Sequence, residues 1–363
     1  METILITGAR APIAMELARS FHSQGHTVIM ADSFTLPVSR WSNTVSNYFK
    51  LPSPRFAPQE FADTLQQIIT THQVTHLIPT CEEAFYISSF KDGFPCKVWT
   101  SGIELMNQLH NKFLFTQVAK EYLPIPETEL VNKFTTWTKS ENYVFKPVYS
   151  RFAGQIISNK TLVNTYFTNS EQKNWIAQKR IQGKEICIYS IWDEGKLKAY
   201  VAYHPLYRVG KGAGIFFEPV NHPDVHEKVK LFGEAISYTG QLCFDIIIDQ
   251  NDIPWFIECN PRGTSGAHLV HTDLANAFLY SDTEIQQNTA EYAVKGAMAF
   301  LYPQKLLTKR VRQAKDVIFR KKDFLPFLLQ FVSILEVTYI MLIKRMTWLQ
   351  ATTRDIEWNG NEH

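Results

Sequence analysis

The sequence predicts a chain of mixed class: a doubly wound α/β domain, then a larger α+β body, then a short helical tail. Three observations carry this. Apolar runs at residues 3–7 and 26–31 bracket a helical pattern (Ile13, Leu17, Ala18, Phe21) that Gly25 stops, and that order implies a parallel βαβ unit. Beyond residue 140 strand-like runs dominate. From about Leu306 the chain turns basic, then apolar, then polar. At 363 residues it exceeds the size at which one core stops growing, so several domains are expected. The boundaries fall at 1–110, at 111–305 (divided into 111–177 and 178–305) and at 306–363.

The elements follow in order. The first domain adds a helix at 61–71 and strands at 75–78 and 97–100. Residues 120–128, KEYLPIPET, read as a connector because of their two prolines. Strands are expected at 143–146, 155–158, 175–179, 185–192 and 197–202. A helix at 225–239 then leads through Gly240 into two further strands.

Composition excludes several classes. Apolar residues make up 45% and charged residues 20%, which is globular and not disordered. A net charge of +2 gives no electrostatic case for a nucleic-acid partner. The five cysteines show no CxxC, so neither a disulfide framework nor a structural zinc site is expected, and a reducing, cytoplasmic setting fits. The opening METILITGA reads as a first strand and not as a signal peptide. The loop after it, Gly8-Ala9-Arg10-Ala11-Pro12, has one glycine where a dinucleotide fingerprint needs three. Asp32 lies near the position of a ribose-binding acid, yet the loop reads better as scaffold.

The strongest local signal is GQLCFDIIIDQNDIPWFIECNPRG, residues 240–263. Two apolar strands flank Asp249-Gln250-Asn251-Asp252, which is turn chemistry. If residue 248 pairs with 255, Asp245 faces Glu258, and Asn260 projects from the same side as Glu258. Two carboxylates among apolar neighbours repel each other, and burying them uncompensated costs several kcal/mol or forces protonation. A divalent cation removes that cost. Oxygen donors favour Mg²⁺ or Mn²⁺, shared with phosphates where few protein groups bind the ion.

These residues resemble the last motif of the ATP-grasp superfamily, an acid, a spacer, then Asn-Pro-Arg, here Glu258-Cys259-Asn260-Pro261-Arg262. The resemblance implies ATP as cosubstrate. It implies Asp245, Glu258 and Asn260 as metal ligands, with Arg262 neutralising phosphate or acyl-phosphate oxygens. Asn111-Lys112 and Val144-Phe145-Lys146-Pro147 resemble the family's two lysine motifs, so Lys112 and Lys146 are expected on ATP phosphates. Gln178-Lys179-Arg180-Ile181 resembles the hinge that contacts adenine, and Glu185 then takes the place of the ribose-binding acid. Residues 1–110 resemble the leading domain that precedes the ATP-grasp body in this family. One departure is the loop Ser150-Arg151-Phe152-Ala153-Gly154, which has a single glycine where the family has several.

The implied activity is ligation. A carboxylate is activated as an acyl phosphate and coupled to an amine or another nucleophile, with catalysis by positioning and charge neutralisation. Small-molecule acids and amines are the expected partners. Two alternatives stay open: a small-acid kinase of the same fold, and an ATP-binding regulatory protein without turnover. Glu82 and Glu83, at the carboxyl end of a predicted strand, fit either a substrate amine or the start of the next helix. Arg208, Lys211 and His268 are candidates for a substrate carboxylate, and Gly210–Gly214 reads as a mobile loop beside it. In the tail, residues 324–343 hold 15 large apolar residues around one glutamate. A glutamate at the centre of a membrane span costs about 2.5–3.5 kcal/mol, so a buried cap or an oligomer helix, as in a homodimer, is expected ahead of membrane contact.

Overall fold

A computed structural model describes residues 1–131, 140–151, 157, 175–210, 212–270, 273–280, 284–285 and 287–360. Most of the strand expected at 155–158, residues 152–154 of the glycine-poor loop, and Lys211 lie outside them.

The first sheet is parallel throughout, in the order β3-β2-β1-β4-β5, from β1 (Thr3–Thr7), β2 (Thr27–Asp32), β3 (Asn47–Lys50), β4 (His76–Ile78) and β5 (Lys97–Val98). Its central strand is covered on both faces, with Ile4, Leu5 and Ile6 fully buried, which is why TILIT is continuously apolar. Helix α1 (Pro12–Ser23) starts on a proline whose fixed φ suits a first turn, and buries Ile13, Leu17, Ala18 and Phe21. Helices α2 (Pro58–Thr71), α3 (Glu83–Phe90) and α4 (Ile103–His110) complete this part, and α5 (Lys112–Ala119) follows at once. The strand order reverses between β1 and β4, so their carboxyl ends form a crevice.

Gly8 closes β1 at a positive φ of 74°, and a Cβ there would meet Thr80 Oγ1 at 2.4 Å and Glu83 Oε1 at 2.8 Å. A left-handed conformation costs a residue with a side chain about 1–2 kcal/mol, and overpacking adds about 1–3 kcal/mol. Gly8→Ala is therefore expected to destabilise by at least about 2 kcal/mol. An unchanged urea midpoint would contradict this account of the crossing. Glu83 itself is buried, and accepts hydrogen bonds from Thr7 Oγ1 (2.8 Å), Thr80 N (3.1 Å) and Cys81 N (3.2 Å). Of its two expected roles, the structure assigns it to the backbone ahead of α3.

A small sheet follows in the order β6-β8-β7, from β6 (Thr128–Leu130), β7 (Tyr143–Pro147) and β8 (Trp175–Lys179). The largest sheet runs β13-β12-β9-β10-β11-β14-β15. Its strands are β9 (Gly183–Asp193), β10 (Lys196–Val209), β11 (Ala213–Val220), β12 (Gly240–Asp249), β13 (Pro254–Asn260), β14 (Tyr292–Ala293) and β15 (Lys315–Asp316). Helix α6 (Pro223–Ala235) packs on it through Val225, Val229 and Phe232. Ala213 and Gly214, expected in a mobile loop, belong to β11, where they pair with Val209 and Arg208.

The tail forms α7 (Leu325–Lys344) and α8 (Trp348–Thr353). The buried cap expected as one reading of α7 is not found: only Pro326 and Val337 are buried, because the helix touches residues 38–41 with one narrow side. After α8 the chain runs back across the first sheet's crevice. Arg10 is held between Asp32 and Asp355, with Asp355 at 2.7 Å. Trp358 stacks on Phe85 at a centroid distance of 5.9 Å and is 1% exposed.

Candidate active site

The site starts from the β12–β13 hairpin. Its turn is fixed by Asp249, whose Oδ1 accepts from Asn251 N (2.8 Å) and Ile253 N (3.0 Å). Pairing runs Ile248 with Pro254, Ile247 with Trp255 and Ile246 with Phe256, one residue away from the 248–255 register expected from sequence. A bulge then inserts Ile257, and beyond it Asp245 pairs with Glu258 and Cys243 with Asn260. The expected juxtaposition of Asp245 and Glu258 is thus present, reached through a bulge. Asn260 Nδ2 lies 3.5 Å from Asp245 Oδ2.

The two lysines come to these acids from separate elements. Asn111 caps α5, its Oδ1 accepting from Phe113 N (3.0 Å) and Leu114 N (3.1 Å), so Lys112 occupies the first turn. Lys112 N donates to Val148 O (3.0 Å), which ties the start of α5 to the chain leaving β7. Lys112 Nζ lies 3.2 Å from Glu258 Oε2 and 3.3 Å from Ser150 O. Lys146 lies on β7 opposite Ile176 and is 5% exposed. The charges that act on it are those of Glu258, Lys112 and Asp245.

Burial opposes charge on Asp245, Glu258 and Lys146, and the partners decide which stay ionised. Asp245 is pushed up, first by burial and then by the Glu258 carboxylate beside it. Burial also works against Glu258, but the Lys112 and Lys146 ammoniums outweigh it and hold that carboxyl well below its usual range. Burial brings Lys146 down to about 8, with Glu258 opposing. One acid driven toward protonation beside another held ionised is a carboxylate pair whose repulsion a divalent cation would relieve. The oxygen donors of Asp245, Glu258 and Asn260 fit a hard divalent ion. Cys187 adjoins them, its Sγ 3.2 Å from Asp245 Oδ1, and Glu185, Cys187 and Asp245 bring ligand atoms within 4.8 Å of one another. Burial drives the Cys187 thiol far up, so it remains a neutral donor to Asp245.

The other expected residues fall around this centre. Arg262 NH2 is 3.4 Å from Asn260 Oδ1, and its Nε is 4.0 Å from Glu82 Oε1. Gln178 is buried, and its Nε2 reaches Ile257 O at 3.3 Å, so the 178–181 segment adjoins the strand that carries Glu258. Lys179 and Arg180 are exposed, and Ile181 is half-buried. Glu185 is exposed and paired with Arg208, whose guanidinium is therefore engaged within the chain. His268 is buried, and its Nδ1 lies 3.0 Å from Glu16 Oε2, so it is engaged within the chain.

One cluster was not anticipated. Arg151 NH2 lies 2.5 Å from Glu82 Oε2 and 2.6 Å from Trp358 O, and Trp358 N donates to Glu82 Oε2 at 3.1 Å. Burial would raise Glu82, but the Arg151 guanidinium outweighs it and holds the carboxyl down at about 2. Glu82 was visible at its strand end. Its partners were not, because nothing local links Arg151 to a tryptophan 207 residues later.

Residues 109–266 match the family model described as an ATP-grasp domain. Among curated proteins, none matches the sequence. The fold is similar to that of N5-carboxyaminoimidazole synthetase from Staphylococcus aureus, with a TM-score of 0.61 at 14% identity, over 79% of this chain and 80% of that one. Biotin carboxylase from Campylobacter jejuni, in a β,γ-ATP complex, gives 0.61 at 15% identity, over 80% and 74%. An L-amino acid ligase from Bacillus licheniformis gives 0.56 at 13%, over 74% and 68%. Motif, matched segment and architecture agree on an ATP-grasp domain at residues 109–266.

Proposed function

We propose that this protein is an ADP-forming ligase that activates a carboxylate with ATP and couples it to an amine. The observation that carries the reading is the convergence of Lys112 and Lys146 on the Asp245–Glu258 pair, four charged groups from four elements packed in a mostly buried site. That the solved structures with this fold include a carboxylase, a carboxyaminoimidazole synthetase and an amino acid ligase supports the reaction class. In this reading residues 1–110 form the leading domain, 111–305 the catalytic body and 306–363 the tail.

Asp245, Glu258 and Asn260 would hold Mg²⁺ or Mn²⁺, which when bound supplies countercharge to phosphate oxygens. Lys112 and Lys146 bind the nucleotide's phosphates, and residues 178–181 and Glu185 take the adenosine end. A carboxylate oxygen attacks the γ-phosphorus and the bond to ADP breaks. The amine nitrogen then attacks the acyl carbon, phosphate leaves, and the nitrogen loses its proton. Arg262 neutralises the phosphate oxygens through both steps.

The test is ADP release from the full chain with ATP and Mg²⁺ over panels of acids and amines. Release is expected to require both partners and to yield an amide. Release with acid alone would replace ligation by small-acid phosphorylation. ATP binding without turnover across the panels would remove the enzyme assignment.

A further inference from the structure

The Leu325–Lys344 helix is apolar on both sides: Val337, Ile340 and Met341 pack inward beside Phe34, and its polar side chains are turned inward with them. Glu336, its one acid, points inward, where its two oxygens accept from Thr35 N and Leu36 N at 2.7 Å each. Ser333 Oγ donates to Leu36 O at 2.6 Å, and Gln330 turns toward Gly296. The opposite face carries Leu328, Phe331, Leu335, Tyr339, Leu342 and Ile343, each between 52% and 66% exposed. Their spacing of three and four places them on one stripe, along a helix about 30 Å long. The glutamate that opposes membrane contact in the sequence is therefore absent from the exposed surface.

Charge marks what covers the stripe. Between residues 305 and 345 there are ten basic and three acidic residues, in a chain whose net charge is only +2. Lys321 and Lys322 stand exposed at one end of the helix, and Lys344 and Arg345 at the other. A second copy related by two-fold symmetry would pair these helices either parallel or antiparallel. Both arrangements set basic end against basic end. A lipid surface with anionic headgroups matches an apolar stripe with a cation pair at each end. We propose that this face binds an anionic membrane surface, the helix lying in the plane of the interface. A spanning arrangement would strip the backbone bonds of Glu336 and Ser333 from residues 35–36.

The test is flotation of the full-length protein with vesicles of phosphatidylcholine alone, or of phosphatidylcholine and phosphatidylglycerol in equal parts. Bound fraction is expected to be at least about tenfold higher on the anionic vesicles. Two variants should each lose most of it: Phe331→Ser/Leu335→Ser/Leu342→Ser, and Lys321→Glu/Lys322→Glu/Lys344→Glu. All six side chains are exposed, so circular dichroism and the thermal midpoint should stay unchanged. Equal binding by the serine variant would overturn the proposal. So would a vesicle-indifferent protein whose sedimentation shows a dimer that the serine variant dissolves. Retention on membranes through alkaline carbonate would also overturn it, in favour of a span.

Discussion

Glu258→Gln is expected to lower ATP-dependent ADP release by about 10²–10³-fold, the scale known for a lost charge-stabilising group. The substitution keeps volume and one acceptor oxygen, and removes the charge that Lys112 meets at 3.2 Å. Removing one partner of a buried ion pair ordinarily destabilises strongly. Here Asp245 offsets that cost. Its carboxyl is held up partly by repulsion from Glu258, so it ionises more readily once Glu258 is neutral, and a negative charge stays beside the lysines. Folding should therefore survive while turnover does not. Steady-state ADP release, with circular dichroism on the same sample, separates the two. A variant with near-normal turnover would show that no essential cation is held here.

Trp358→Ala is expected to cost about 3–5 kcal/mol of stability, the range for emptying a buried aromatic site. The indole is 1% exposed, stacked on Phe85, edge-on to Tyr86 at 4.8 Å, and donates from Nε1 to Asn107. Its backbone binds Glu82 and Arg151, so releasing it frees the guanidinium beside Glu82 as well. Chemical denaturation reads the first effect. A loss under 1 kcal/mol would mean that the tail rests on the first domain without stabilising it.

What could be read from sequence was what local pattern determines. The TILIT strand, the α1 helix and the Trp175–Lys179 strand follow from apolar spacing and nearby glycines and prolines. Asp245 opposite Glu258 was legible because a hairpin's alternation fixes which side chains share a face, although the Ile257 bulge was not, since no residue type there demands one. Asn47–Lys50, a mostly exposed edge strand, carries no alternation to find. The outward face of α7 and the Arg10–Asp355 and Arg151–Trp358 contacts depend on where a distant segment packs, which composition and periodicity do not encode.

The bond from Arg10 to Asp355 joins residues 345 positions apart, and Trp358 fills the core behind Phe85. During synthesis the amino-terminal sheet leaves the ribosome early, yet its crevice cannot close until residues 355–358 have emerged. For most of translation Asp32, Glu82 and the Phe85 ring are left without their final neighbours. The nascent chain should thus be most vulnerable to proteases and most dependent on chaperones until residues 355–358 appear.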